Sequence, residues 1–306
     1  MKTARLGSFD VSVIGLGCNN LGRALDRSQS EVVVNAALDA GITYFDTASN
    51  YGEGQSESFL GGALGSRRDD VVISTKFGMP VPGWENSGGA SPGYLRQAVE
   101  RSLRELGTEH IDLLMIHFPD PKTPIGDTLL AMNELVEAGK VREVGCSNFN
   151  ADQLRDAVTV SSDLGLTPIV CDQVHYSLMH RDPESDGTME TCHGLGIALL
   201  PYYPLGSGLL TGKARRGETP TGRLASKRYK DFLSDENFDL VESIETYASE
   251  RGVSMVQVAL GWLLSREDVP TVTAGATKPS QIESNVTAAD WTPTAEDLEA
   301  LEELLG

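Results

Sequence analysis

Short apolar runs without polar alternation recur along the chain, near residues 14–16, 42–45, 71–74, 111–116, 141–145, 169–171, 197–200 and 270–274. Strands buried on both faces need runs of this kind. Between them lie segments whose apolar residues repeat at three- and four-residue spacing, the helical period: 28–40, 56–64, 91–106, 125–138, 151–160, 188–195, 254–265 and 279–288. Ser28 and Glu31 offer the first of these a capping box, and Gly41 offers it a stop. Eight strand–helix alternations predict an α/β protein, a (β/α)8 TIM barrel, with residues 1–306 as a single domain. The alternative, a doubly wound sheet, would carry a Gly-x-Gly-x-x-Gly turn between a strand and a helix, and none is present.

Several segments fall outside this rhythm. Residues 4–13 alternate around Gly7-Ser8, which predicts an N-terminal hairpin. Residues 79–92 form a Gly/Pro-rich loop containing Trp84, placed either to wall a substrate pocket or to cover the barrel rim. A long polar loop, 205–236, follows the seventh strand and carries Lys213, Arg215, Arg216, Arg223, Lys227, Arg228 and Lys230. Loops of this length are lids or disordered segments, so its cations could close over phosphates or face solvent. Two extra helices are expected, at 237–251 and 295–305.

Charge narrows the choice of partner. Lys plus Arg number 25 against 44 Asp plus Glu, a net of −19, which argues against nucleic acid and anionic membrane. Cys18, Cys146, Cys171 and Cys192 have no CxxC spacing and are too few for a disulfide framework, so reduced thiols in a cytoplasm are expected. No apolar run reaches the length of a membrane span, and Met1-Lys2-Thr3-Ala4-Arg5 leads into structure rather than a signal sequence.

The chemistry gathers at the ends of the apolar runs. Asp46 ends the second, and Tyr51 follows five residues later. Lys76 ends the third, His117 the fourth, Ser147 and Asn148 the fifth, Gln173 the sixth and Tyr202 the seventh. In a parallel barrel all of these reach one face. A lysine ending a buried strand needs a partner, and Asp46 on the adjacent strand is the available carboxylate. A lysine beside a phenol favours the phenolate, and an imidazole can orient a carbonyl oxygen, so the set makes sense as proton transfer. Singly, each residue has a plainer reading: Asp46 as a helix cap or ion-pair partner, His117 as a core histidine, Lys76 as a Schiff-base lysine. No metal is expected, because the first strand lacks His-x-His and His110, His175, His180 and His193 have no ligand spacing and read as structural.

The motifs Phe45-Asp46-Thr47-Ala48-x-x-Tyr51-Gly52, Ile73-Ser74-Thr75-Lys76, Ile116-His117-x-Pro119-Asp120, Gly145-x-Ser147-Asn148-Phe149, Gln173-x-x-Tyr176-Ser177, Tyr202-x-Pro204-Leu205 with Gly208-Leu209-Leu210-Thr211-Gly212-Lys213, and Gly275-Ala276-Thr277-Lys278-Pro279 resemble the aldo-keto reductase family. They run in order along nearly the whole chain. The resemblance implies reversible reduction of an aldehyde or ketone by NADPH, with NADH possible, hydride coming from the nicotinamide and the proton from Tyr51. It further implies that Asp46 and Lys76 tune Tyr51 and that His117 orients the substrate. Ser147, Asn148 and Gln173 would hold the carboxamide, and Tyr202 would stack on the ring. Leu205, Ser207, Gly208, Leu209 and Lys213 would line the pyrophosphate; Gly275, Thr277, Lys278, Gln281 and Asn285 would meet the adenosine end. Cys18 and Asn19 either line the nicotinamide pocket or turn the chain. Gln281 stands where many members have arginine, Ser284 where a glutamate is frequent, and Tyr203 where a small residue is common. Two other readings are a cofactor-binding regulatory or partner subunit and a Lys76 Schiff-base lyase. The substrate implied is a small carbonyl compound; oligomeric state is left open.

Overall fold

The computed structural model describes residues 1–306 apart from the side chains of Arg223, Lys227, Arg228 and Asp231. The hairpin of β1 (Thr3–Leu6) and β2 (Phe9–Ser12) comes first. Then follow β3 (Ile14–Gly17), α1 (Arg27–Asp39), β4 (Tyr44–Asp46), α2 (Ser56–Leu64), β5 (Val72–Phe77), α3 (Pro92–Leu106), β6 (Ile111–Ile116), α4 (Ile125–Glu137), β7 (Val141–Ser147), α5 (Ala151–Asp163) and β8 (Ile169–His175). The chain continues through α6 (Asp182–Ser185), α7 (Thr188–Leu195), β9 (Ala198–Tyr202), α8 (Asp235–Glu250), α9 (Met255–Leu264), β10 (Val272–Gly275), α10 (Pro279–Thr287) and α11 (Ala295–Leu305). The strands β3 to β10 make one eight-stranded parallel sheet, ordered β10-β3-β4-β5-β6-β7-β8-β9. Its two edges meet where Thr273 Oγ1 donates to the carbonyl of Pro201 at 3.2 Å, giving a nearly closed (β/α)8 barrel.

Side chains alternate along each strand, and this alternation sorts them into two environments. Outward residues such as Phe45, Ile73, Phe77, Leu114, Ile116, Val144 and Leu199 pack with the helices in one large core. Inward residues fill the barrel in layers. At the N-terminal end Leu6 and Val11 of the hairpin pack with Tyr44, Leu113, Met115, Cys171 and Leu200, so the hairpin plugs the barrel floor. Gly15 makes room in that layer: a Cβ there would lie 2.7 Å from the Tyr44 ring. One strand pitch further toward the C-terminal end the inward row turns polar, with Asp46, Lys76, Ser147 and Gln173 all buried. On β5 the outward Thr75 donates to Glu57 Oε1 of α2 at 2.6 Å, a buried bond that ties the strand to the helix behind it.

The local signals were partly misleading. The first helix is capped by Asp26, which accepts from the Gln29 amide while Gln29 returns the bond, so the capping box lies two residues before the predicted Ser28/Glu31 pair. Ser28 and Glu31 instead lie inside α1, because the chain leaves the preceding turn at Leu25 and Asp26 is the first residue free to cap. The strand predicted from residue 42 pairs only from Tyr44, since Ile42 bonds back to Ala37 as the helix exit. The long 205–236 loop holds 3-10 turns at Gly206–Thr211, Gly222–Ala225 and Lys227–Leu233, and the extra helices are α8 and α11.

Candidate active site

Asp46 and Lys76 occupy the polar layer side by side, on the paired strands β4 and β5. Lys76 is 1% exposed. Its ammonium donates to Asp46 Oδ1 at 2.8 Å and to the carbonyl of Thr47 at 2.7 Å. The same Asp46 oxygen accepts from Ser74 Oγ at 2.8 Å and Gln173 Nε2 at 3.2 Å. A buried ion pair is tolerated when its remaining hydrogen-bonding capacity is met, and this one is surrounded by donors and acceptors from β4, β5 and β8.

Tyr51 hangs over this pair. The segment after β4 stays tied to β5, with Thr47 and Ser49 donating to the carbonyls of Ser74 and Lys76. It then turns sharply through Gly52, at φ 56°, where any Cβ would collide with the carbonyl of Leu21. The Lys76 ammonium lies 5.1 Å from the centre of the Tyr51 ring, and the His117 ring meets Tyr51 edge-on at 5.9 Å and 75°. Burial, with the nearby Lys76 ammonium, holds the His117 imidazole down at about 3, so it is neutral at physiological pH. Its Nδ1 is buried and, among the described residues, without a hydrogen-bond partner.

The residues singled out on β7, β8 and β9 form one connected network. Ser147 Oγ donates to the Gln173 carbonyl at 2.7 Å, and Asn148 Nδ2 donates to the His117 carbonyl and to Ser147 Oγ, each at 3.0 Å. Tyr202 donates its hydroxyl to Asn148 Oδ1 at 2.9 Å. Asn148 makes these contacts from a left-handed backbone, φ 63°, which asparagine tolerates better than most residues.

Beyond Tyr202 the chain passes through left-handed Tyr203, Gly206, Ser207 and Gly208. Such turns point successive backbone N–H groups to one side and make anion-binding concavities. Ser207 Oγ in this turn is buried without a partner among the described residues, so the turn fits a phosphate-bearing group. Gly206 has no spare room, because a Cβ would come 2.5 Å from Met179 Sδ. Leu209 is fully buried and supports the turn from beneath, Leu205 packs against the same core, and Lys213 is exposed. At the mouth of β10, Asn19 and Asn20 border Gly275, and Asn20 donates to the Ala276 carbonyl. Gln281 folds back to accept from the Thr277 N–H at 2.7 Å, Lys278 is exposed at the start of α10, and Asn285 is buried. Cys18 is turned away from the mouth: its thiol is fully buried, bonded to the Leu16 carbonyl. Trp84 lies on the rim, against Tyr94 and under the Arg101 guanidinium. Of the cations in the long loop, Arg215 pairs with Glu245, and Arg216 with Asp235, Asp239 and Glu242 of α8. The side chains of Arg223, Lys227 and Arg228 lie outside the described residues.

Buried carboxylates outside the sequence-derived set surround the barrel. Asp112 is fully buried with Arg68 and Arg142 around it and accepts from the Ile73 N–H. Asp172, also fully buried, accepts from the Cys146 thiol at 3.5 Å, while its other oxygen has no partner among the described residues. Burial pushes the Asp172 carboxyl up to about 7 from an ordinary 3.8. The folded chain therefore binds this proton more tightly than the unfolded chain, and the group's stabilising contribution is lost as pH rises from about 3.8 to about 7. Asp172→Asn should remove that dependence. Its advantage over the unsubstituted chain should widen by about 4 kcal/mol between acid and mildly alkaline pH in urea unfolding. A gap that does not change with pH would contradict the assignment.

Comparison with known proteins places this geometry in context. The model of the Aldo/keto reductase family matches residues 13–305. A probable voltage-gated potassium channel subunit beta of Oryza sativa subsp. japonica is 34% identical over 280 residues, covering 89% of this chain and 85% of its own. An L-glyceraldehyde 3-phosphate reductase of Escherichia coli (strain K12) is 32% identical over 283 residues, with 88% and 81% covered. Aldo-keto reductase YhdN of Bacillus subtilis (strain 168) is 33% identical over 315 residues, with 97% and 91% covered.

Proposed function

The chain belongs to the aldo/keto reductase family and is an NAD(P)H-dependent reductase of carbonyl compounds, and from that premise we propose that Tyr51 is its proton donor, Lys76 and Asp46 its tuning pair and His117 its substrate-orienting group. The observation that carries this reading is the convergence, in one polar layer, of a buried lysine–carboxylate pair with a phenol and a neutral imidazole over it. The cofactor supplies the hydride received by the carbonyl carbon. His117, neutral, donates one hydrogen bond from its ring N–H to hold the carbonyl oxygen. Tyr51 passes its phenolic proton to that oxygen as negative charge builds there, and the Lys76 ammonium steadies the charge left on the phenol. Asp46 keeps the ammonium in place and so acts through it. No metal is required for any of these steps.

In the same reading the cofactor lies across the barrel mouth of one domain spanning residues 1–306 in a cytoplasmic enzyme. Ser147, Asn148 and Gln173 hold the carboxamide, Tyr202 supports the ring, and the turn at 205–209 takes the pyrophosphate. Gly275, Thr277, Lys278, Gln281 and Asn285 receive the adenosine end, and Asn19 lines the nicotinamide pocket. Cys18 turns the chain rather than lining the pocket: the whole residue is buried, its N–H donating to the Asp46 carbonyl and its own carbonyl accepting from Ser56. NADPH is the preferred cofactor, but modestly: Gln281 is engaged with Thr277, which leaves exposed Lys278 to meet the 2′-phosphate. Titration with NADPH and NADH should give about ten-fold tighter binding of NADPH, roughly 1.4 kcal/mol. Lys278→Met should erase most of that difference. A thousand-fold preference, or one that survives Lys278→Met, would mean that the 2′-phosphate is recognised elsewhere. An aldehyde, ketone and sugar panel with the tighter cofactor then tests the reaction itself.

A second reading has support from the channel-subunit relative. In it the barrel binds the cofactor chiefly to serve a partner protein. Nucleotide binding without turnover on any carbonyl, together with a stable co-purifying partner, would favour it over the enzyme reading.

A further inference from the structure

His175 ends β8 one strand pitch beyond Gln173, on the inward row and in register with Tyr202 of β9. Its imidazole lies nearly parallel to the Tyr202 ring, with centres 5.3 Å apart and planes 8° apart. A second imidazole, that of His180, is stacked on it at 3.8 Å and 13°. The chain brings His180 back by a tight turn in which Ser177 and His180 exchange backbone hydrogen bonds, each 3.0 Å long. Tyr203 closes the side of the stack, edge-on to both His175 and Tyr202. No His180–Tyr202 ring contact occurs among the described residues, so His175 is the link between them.

The His175 imidazole is half-buried, and a ring nitrogen shielded from water ordinarily has a hydrogen-bond partner. The Nε2 of His175 has none among the described residues, so flat contact with its neighbours is what holds the ring. Burial, reinforced by His180, lowers the His175 imidazole to about 4, so it remains a neutral flat surface across the physiological range. His180 lies 3.5 Å from the Asp182 carboxylate, which anchors the outer end of the column. Tyr202 is therefore fixed twice: its hydroxyl by Asn148, and its ring plane by His175.

We propose that His175, backed by His180, is a positioning residue that sets the ring plane of Tyr202 and through it the seat of the nicotinamide. The proposal rests on the reading of Tyr202 as the nicotinamide platform. The test measures NADPH affinity by quenching of protein fluorescence and kcat at saturating cofactor, for His175→Ala, His175→Phe, His180→Ala and Tyr202→Ala. Loss of an aromatic contact predicts about 3–10-fold weaker NADPH binding for His175→Ala. His175→Phe, which keeps a flat ring, should restore affinity to within about two-fold. His180→Ala, at a half-exposed residue, should weaken binding about two- to three-fold, and keeps the proposal testable if His175→Ala does not fold. A role confined to stability would lower the unfolding midpoint of His175→Ala and leave the affinity of the folded chain unchanged; that result would overturn the proposal. So would failure of the phenylalanine to rescue. If Tyr202→Ala weakens NADPH binding while both histidine variants bind normally, the column fails and the platform stands. If Tyr202→Ala also binds normally, the platform reading is wrong and the proposal falls with it.

Discussion

Tyr51→Phe is expected to lower turnover by about 10²–10⁴-fold while NADPH affinity stays within about two-fold. That range corresponds to roughly 2.7–5.4 kcal/mol of barrier. The substitution removes one oxygen and keeps the ring, so the edge contact with His117 and the position of Lys76 beneath it survive. What disappears is the only proton the proposed scheme can hand to the developing alkoxide. Single-turnover reduction of a good aldehyde, beside a cofactor titration, separates the two quantities. A variant that reduces the aldehyde at the unsubstituted rate would remove Tyr51 from the mechanism.

Lys76→Met should damage both rate and stability. The ammonium is buried and its partner Asp46 is 4% exposed, so the substitution strands a carboxylate left with the Ser74 and Gln173 donors. Breaking a buried pair from one side typically costs about 3–5 kcal/mol, far more than loss of a surface pair. Urea unfolding of Lys76→Met, Asp46→Asn and the double variant checks this. The double variant should be more stable than Lys76→Met alone, because no unpaired charge remains. Turnover should fall by more than NADPH affinity in Lys76→Met. A stability loss below about 1 kcal/mol would indicate a pair far better hydrated than its burial implies.

The sequence disclosed most about residues whose roles depend on local order. An apolar run that ends in a charged residue can be read without coordinates, which is why Asp46, Lys76 and His117 stood out. Parallel strands then carry such residues to one end whatever the exact register. The cap of α1 was misread because Ser28 and Glu31 have the spacing of a capping box, and only the exit of the preceding turn decides that Asp26 caps first. Asp112 and Asp172 were invisible for a different reason. Their partners come from segments distant in the chain: Arg68 and Arg142 around Asp112, and Cys146 beside Asp172. His175 and His180 read as structural in the sequence because they lack metal-ligand spacing, and nothing in their order along the chain shows a stack. The tight turn at 177–180 that superposes them is visible only in three dimensions.

The bond between Thr75 and Glu57 has a consequence that reaches past local stability. On β5 the side chains alternate between barrel mouth and helical shell, so a one-residue slip would send Thr75 or Phe77 inward and bury the Lys76 ammonium among helices. Such a slip would produce a discrete misfolded species rather than a weaker enzyme, with every inward address on that strand reassigned at once. A slip in either direction would take Thr75 away from Glu57 and set Ser74 or the Lys76 ammonium opposite that buried carboxylate instead. The register that points Lys76 into the polar layer is thus the same register that points Thr75 at Glu57 on the opposite side of the sheet.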